Sequence, residues 1–314
     1  MRRWARRILI GSCVGLIVAV VTGATYQWIE TRRELAATPP PGRMVDIGGH
    51  RLHLWCVGAG GPTVVLEAGL GGTSADWGFV QPEVATFTRA CSYDRAGMGY
   101  SDSGPTPRTA RRIARELVEL LNRSGVRGPV VLVGASLGGF YVRLFASEYA
   151  ERAAGLVLVD ATLEDHLDDV PWLARFVPFL SATGVLRVSG VSFGLAPGAL
   201  APAVRPFARA TQFRSAGHQA AANEILHVRE SAAEVTATRR KLTVPVVVVT
   251  AGRGTDRMWR DLQSSQARLS QHGCQMTAAE SGHVVPIEEP GTVVRAIRAI
   301  VAAVRSGAET ATCD

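Results

Sequence analysis

The chain has no Cys-x-x-Cys pair and no cluster of histidines with cysteines, so no metal site is expected and no cofactor is implied. Charge is scarce, at 19% of the 314 residues against 47% hydrophobic ones, which excludes a disordered chain. Basic residues interleaved with aromatics, the pattern that tracks a phosphate backbone, are missing; nucleic acid is therefore not expected as a partner, although the formal net charge is +7. Residues 1–34 hold six arginines and two glutamates, four of those seven net charges, and the body is only mildly basic. No internal repeat is visible, and the one low-complexity stretch is the proline-rich "AATPPPGR" at 36–43.

The N-terminus does carry a charge-free run of 21 residues, "ILIGSCVGLIVAVVTGATYQW", from Ile8 to Trp28. At about 1.5 Å of rise per residue it is long enough to cross a bilayer. Four arginines precede it and Tyr26 and Trp28 close it, a bias that places the body outside the cytoplasm. The expected organisation is a basic cytoplasmic stretch (1–7), a transmembrane anchor (8–29), a Pro-rich linker (30–42), a folded body (43–306) and a C-terminal tail (307–314). Secretion after signal cleavage is the competing expectation, with Thr22-Gly23-Ala24 as a weak cleavage site. An oxidising compartment would permit disulfides among Cys56, Cys91, Cys274 and Cys313.

Beyond residue 43, short apolar strands such as "PTVVLEAG", "PVVLVG", "AGLVLVDA" and "VPVVVVTAG" alternate with helical stretches. In "TARRIARELVELLNRSGV", Ile113, Leu117, Leu120 and Leu121 share one helical face. This pattern predicts an α/β fold, a mostly parallel central sheet flanked by helices. Residues of about 163–242 interrupt the alternation with helical segments and read as a helical cap over the C-terminal edge of the sheet, where open α/β sheets bind ligands. Trp172, Leu173, Phe176, Val177, Phe179 and Leu180 form an apolar cluster in it, expected to pack the cap onto the body or to wall an acyl site.

Gly134-Ala135-Ser136-Leu137-Gly138 fits G-x-S-x-G between an apolar strand and a helix. In that setting the serine takes a tight strand-to-helix turn that needs glycine-sized neighbours, and its hydroxyl projects above the sheet. On the motif alone, a glycine-rich packing turn and a nucleophile are equally good accounts. Of the seven histidines, His283 in "AESGHVVPIEEP" lies beyond the last strand candidate, on the sheet edge that would also present Ser136.

Taken together, "LEAGLGG" (66–72), "YDRAGMGYSD" (93–102), "GASLGG" and "SGHVVPIEEP" make the chain resemble the α/β-hydrolase fold superfamily over roughly 43–306. The resemblance implies a serine hydrolase acting on a small-molecule carboxylic ester through an acyl-enzyme, with Ser136 as nucleophile and His283 as base. It also implies an oxyanion hole from the backbone of Leu137 and Leu70, a structural Asp94–Arg95 pair, and a Cys56–Cys91 disulfide on neighbouring strands. For the triad acid, Asp256 is preferred for its spacing to His283, and Asp160, ending "GLVLVDA", is the alternative. Epoxide hydrolases and dehalogenases of the same fold would need aspartate at position 136. A cell-envelope acyltransferase would use the same residues; a non-catalytic binding domain would have no use for them together.

Overall fold

The computed structural model describes residues 2–313. Its strands are β1 (Arg43–Asp46), β2 (Arg51–Val57), β3 (Val64–Glu67), β4 (Ala90–Tyr93), β5 (Val130–Ala135), β6 (Ala153–Val159), β7 (Val246–Ala251) and β8 (Gly273–Ala278). They form one sheet in the order β1-β2-β4-β3-β5-β6-β7-β8; the β1–β2 and β2–β4 pairs are antiparallel and all other neighbours parallel. The helices are α1 (Arg2–Ala37), α2 (Gln81–Ala85), α3 (Ala110–Arg123), α4 (Gly138–Glu148), α5 (Val177–Ala182), α6 (Val185–Ser189), α7 (Arg205–Thr211), α8 (Ser215–Leu226), α9 (Val228–Ala237), α10 (Arg257–Ala267), α11 (Val285–Glu288) and α12 (Pro290–Ser306).

The Val/Leu runs of β3, β5, β6 and β7 are buried almost throughout because helices cover both faces. Alternate residues divide between two cores. Leu132, Leu156, Leu158 and Val248 pack against Ile113, Leu117 and Leu120 of α3 and Phe140 of α4. On the other face Val131, Val133, Val157 and Val249 meet Val84 of α2 and Val293, Ile297 and Ile300 of α12. Each such side chain contributes about 1.5–3 kcal/mol on burial, which holds the strand ends in fixed register beneath the site.

The insertion between β6 and β7 differs from its expected outline. Val228, Ala232 and Val235 of α9 join the main core, so α9 packs on α3 and α4 as part of the body and the cap proper consists of the segments through α8. The expectation that the 172–180 cluster packs the cap onto the body is overturned: Trp172, Leu173, Phe176 and Phe179 are exposed, and only Val177 is buried. Helix α1 also runs on through residues 30–37, expected as linker, and its last turns lie against the cap.

Cys56 and Cys91, register partners on β2 and β4, form a disulfide, and a second one joins Cys274 on β8 to Cys313. The tail at 307–313 is thereby tied back to the sheet edge.

Candidate active site

Ser136 follows Ala135 at the end of β5 with φ of 50°, in the left-handed region that an L-residue enters at a cost of about 1–3 kcal/mol. Its surroundings explain how the turn is held. The Ser136 N–H donates to the Val159 carbonyl at 3.0 Å, and the Thr162 N–H donates to the Ser136 carbonyl at 3.0 Å. A Cβ on Gly134 would come within 2.6 Å of Val142 Cγ2, and one on Gly138 within 2.7 Å of the Ala68 carbonyl oxygen. The motif glycines are required because strand, turn and helix approach too closely for any side chain.

The β5–β6 register pairs Ala135 with Val159, so the residues that follow, Ser136 and Asp160, stand side by side on the sheet edge. Asp160 has φ of 40°; among the described residues it and Ser136 are the two non-glycine residues with positive φ. His283 bridges them: its Nε2 lies 2.9 Å from Ser136 Oγ and its Nδ1 2.6 Å from Asp160 Oδ2. The other carboxylate oxygen accepts from the Ala251 N–H at 3.1 Å and the Trp259 indole N–H at 2.9 Å. The Asp160 side chain is 2% exposed and that of His283 54% exposed, so the carboxylate is enclosed while the imidazole faces solvent.

The preferred acid, Asp256, is elsewhere. It is the N-cap of α10 and accepts the Trp259 N–H at 2.7 Å, which satisfies an otherwise unpaired donor of that helix. Its effect on the site is indirect: the helix it caps carries the Trp259 indole that donates to Asp160. The His283 loop is anchored by Ser281, whose carbonyl accepts from Gly252 and Arg253 N–H at 3.1 and 2.8 Å, and by Glu288, which accepts the Gly282 N–H at 2.8 Å.

Among the described residues, the N–H groups of Leu70 and Leu137 donate to no other protein atom. Both residues line a cavity with Ser136 and His283, and a Cβ on Gly69 would sit 3.2 Å from Ser136 Cβ. The loop before Leu70 is braced by Arg95, which donates to the Ala68 and Gly69 carbonyls at 2.8 Å each, to Glu67 at 2.6 Å and to Glu224 of α8 at 2.8 and 3.0 Å. Arg95 therefore does not pair with Asp94 as expected. Asp94 binds the buried His53 at 2.8 Å and accepts Ser74 and Tyr100 N–H groups at 2.7 and 2.9 Å. Burial alone would raise the Asp94 pKa, but the His53 charge and these donors outweigh it and lower it.

Two cavities meet at Ser136 and His283. One, of about 250 Å3, is lined by Leu70, Trp77, Leu195, Val284 and Ile287 and bordered by Asp76, whose carboxyl burial pushes up to about 7. The other, of about 360 Å3, lies against Thr162, His166, Leu167, Ile225 and Trp259. Trp259, Ser281, Glu67, Glu224 and Asp76 were not singled out in the sequence. Glu224 had one available signal: it is the first acidic residue after Asp169, ending a stretch from Val170 to Asn223 that has none.

The profile of the Alpha/beta hydrolase family matches residues 64–296, and the chain belongs to that family. An AB hydrolase superfamily protein of Gibberella zeae is 26% identical over 285 residues, covering 78% of this chain and 87% of that protein. An uncharacterized protein of Schizosaccharomyces pombe is 36% identical over 119 residues, 36% of this chain; the match spans only 22% of that longer relative. A thermophilic esterase from Thermogutta terrifontis superposes with a TM-score of 0.65 at 22% identity, over 84% of this chain and 99% of that one.

Proposed function

We propose that the protein is a serine hydrolase that cleaves carboxylic esters of apolar acids through an acyl-enzyme. The observation that carries this is the line of contacts from Ser136 Oγ through His283 to Asp160, at 2.9 and 2.6 Å. His283 Nε2 takes the hydroxyl proton as Oγ attacks the ester carbonyl, and the same nitrogen returns it to the departing alkoxide. Water, deprotonated by His283, then releases the acid and restores the serine. Asp160 holds Nδ1–H toward itself, so Nε2 is the basic nitrogen, and it stabilises the imidazolium formed at each step. The free amides of Leu70 and Leu137 receive the carbonyl oxygen as it becomes an oxyanion, where one such donor is worth about 10²–10³ in rate.

The apolar cavity walled by Leu70, Trp77, Leu195 and Ile287 suits the acyl chain, and the second cavity suits the alcohol. Transfer to an alcohol acceptor would require water to be excluded, and the exposure of His283 favours hydrolysis. The exposed apolar first half of α1 is assigned as a membrane anchor with the body on the extracytoplasmic side, where its two disulfides persist. The test is turnover of short p-nitrophenyl esters together with fluorophosphonate labelling. Label on Ser136 and loss of both signals in Ser136→Ala are expected; full turnover in that variant, or label on another residue, overturns the mechanism.

A further inference from the structure

Two features of the chain meet where α1 touches the cap. Residues 3–19 of α1 are exposed, but from Val20 onward one side of the helix is covered. Gly23 lies so close to the Thr183 carbonyl that a Cβ there would overlap it. Gln27 is 4% exposed, donates to the Phe213 carbonyl at 2.6 Å and accepts from Arg187 Nε at 2.8 Å. Arg187 continues to Glu34 at 2.6 and 2.9 Å.

The geometry constrains where the cap can be. Between Ile8 and Ala19, twelve apolar or small residues project clear of the body, about 18 Å of helix at 1.5 Å per residue. A hydrocarbon core of about 30 Å needs roughly the whole run to Trp28. The remaining stretch, from Val20 to Trp28, is the part alongside the cap, so the cap segment at Thr183 and Gly184 sits below the level of the interfacial Trp28.

What the cap shows on its outer surface fits that depth. Trp172, Phe176 and Phe179, on one side of the turn and helix that run from 172 to 182, are 65%, 45% and 58% exposed, and Val188 of α6 is 78% exposed. Trp172 and Phe176 are in edge-to-face contact, and large apolar side chains exposed together on a folded domain mark an interaction site. From Val170 to Asn223 there is no acidic residue, and the segment holds five arginines, of which Arg175 and Arg209 are exposed. An anionic lipid surface complements both properties.

The same stretch of chain leads inward. Val191 is exposed, while Gly194 and Leu195, a few residues on, wall both the Ser136 cavity and a small one under the cap lined by Phe193, Gln212 and His218.

We infer that the outer cap face formed by Trp172, Phe176, Phe179, Val185 and Val188 is seated in the interfacial layer of an anionic bilayer, so that Ser136 draws its esters from the membrane. This rests on the assignment of α1 as a membrane anchor. The experiment uses the full chain in phosphatidylcholine–phosphatidylglycerol vesicles with nitroxide labels in separate samples. One label sits on native Cys13; the others are on Phe179→Cys, Val188→Cys and, as an aqueous control on α12, Ala302→Cys, each combined with Cys13→Ser. Labels at 179 and 188 should collide more with oxygen than with a water-soluble nickel chelate, as at Cys13, with the ratio inverted at 302. If 179 and 188 behave like 302 while Cys13 is lipid-exposed, the cap face is not seated and the anchor stands. If Cys13 also faces water, the anchor assignment falls and the inference with it.

Discussion

The sheet edge and the cap solve opposite problems. At the edge, nearly every apolar strand residue is buried, and Ser136 and Asp160 stand on two adjacent strand ends held in left-handed turns by backbone hydrogen bonds. In the cap, large apolar side chains face outward, and ion pairs made by single side chains tie it to its neighbours beside a small apolar cluster: Arg187 to α1, and Glu224 to Arg95. Position is fixed at the edge, whereas the cap presents apolar residues to its surroundings. On the proposed function, the chemistry belongs to the edge and access to the cap.

That contrast can be broken in stages. Ser136→Ala should lower kcat on p-nitrophenyl esters by about 10⁴-fold or more, since the remaining site retains only binding and the oxyanion donors. Asp160→Asn should cost about 10⁴-fold while Asp256→Asn costs less than about tenfold in kcat/KM; the reverse ranking would return the acid role to Asp256. Glu224→Gln leaves a buried guanidinium short of a charge partner and should destabilise the fold by about 3–5 kcal/mol in thermal unfolding; an unchanged unfolding curve would mean the cap is not held through Arg95. Asp256→Ala should remove about 1 kcal/mol through the lost cap of α10.

The smallest expected effect is in pH. Burial lowers the His218 pKa in the cap from 6.5 to about 4, so the native cap excludes the charged form. Its contribution is fully present above the ordinary histidine range and declines as pH falls from about 6.5 toward 4. In the core, burial pulls His53 down but the Asp94 carboxylate outweighs it and raises the pKa. That pair contributes fully below the ordinary range, and its contribution is lost as pH rises through the raised value. Hydrogen exchange resolved by segment should show acid loosening the cap before the sheet; uniform loosening would erase the distinction.

Much of the edge was legible in advance. Wholly apolar strands, the glycines around Ser136 and the position of His283 after the last strand are local patterns, and each corresponds to a steric or burial requirement in the structure. The carboxylate partner of His283 was not, because two aspartates follow two neighbouring strands, and which one meets the imidazole depends on the turn after β6. Asp160 enters that turn with positive φ and points back along the edge, while Asp256 is taken up by its own helix. Trp259 was invisible for the same reason, since its partner is 99 positions away. The cap misled more deeply: an apolar cluster reads the same whether it packs inward or faces outward.

The Arg95 guanidinium has one more consequence. It grips the Ala68 and Gly69 carbonyls with some of its N–H groups and the cap carboxylate of Glu224 with others. The loop that carries the Leu70 amide and the cap above it are therefore not interchangeable modules. A chimera that receives another cap without a carboxylate at the place of Glu224 would inherit a misaligned amide along with a new specificity. Recombination of lids on this scaffold should succeed only when that single acid travels with them.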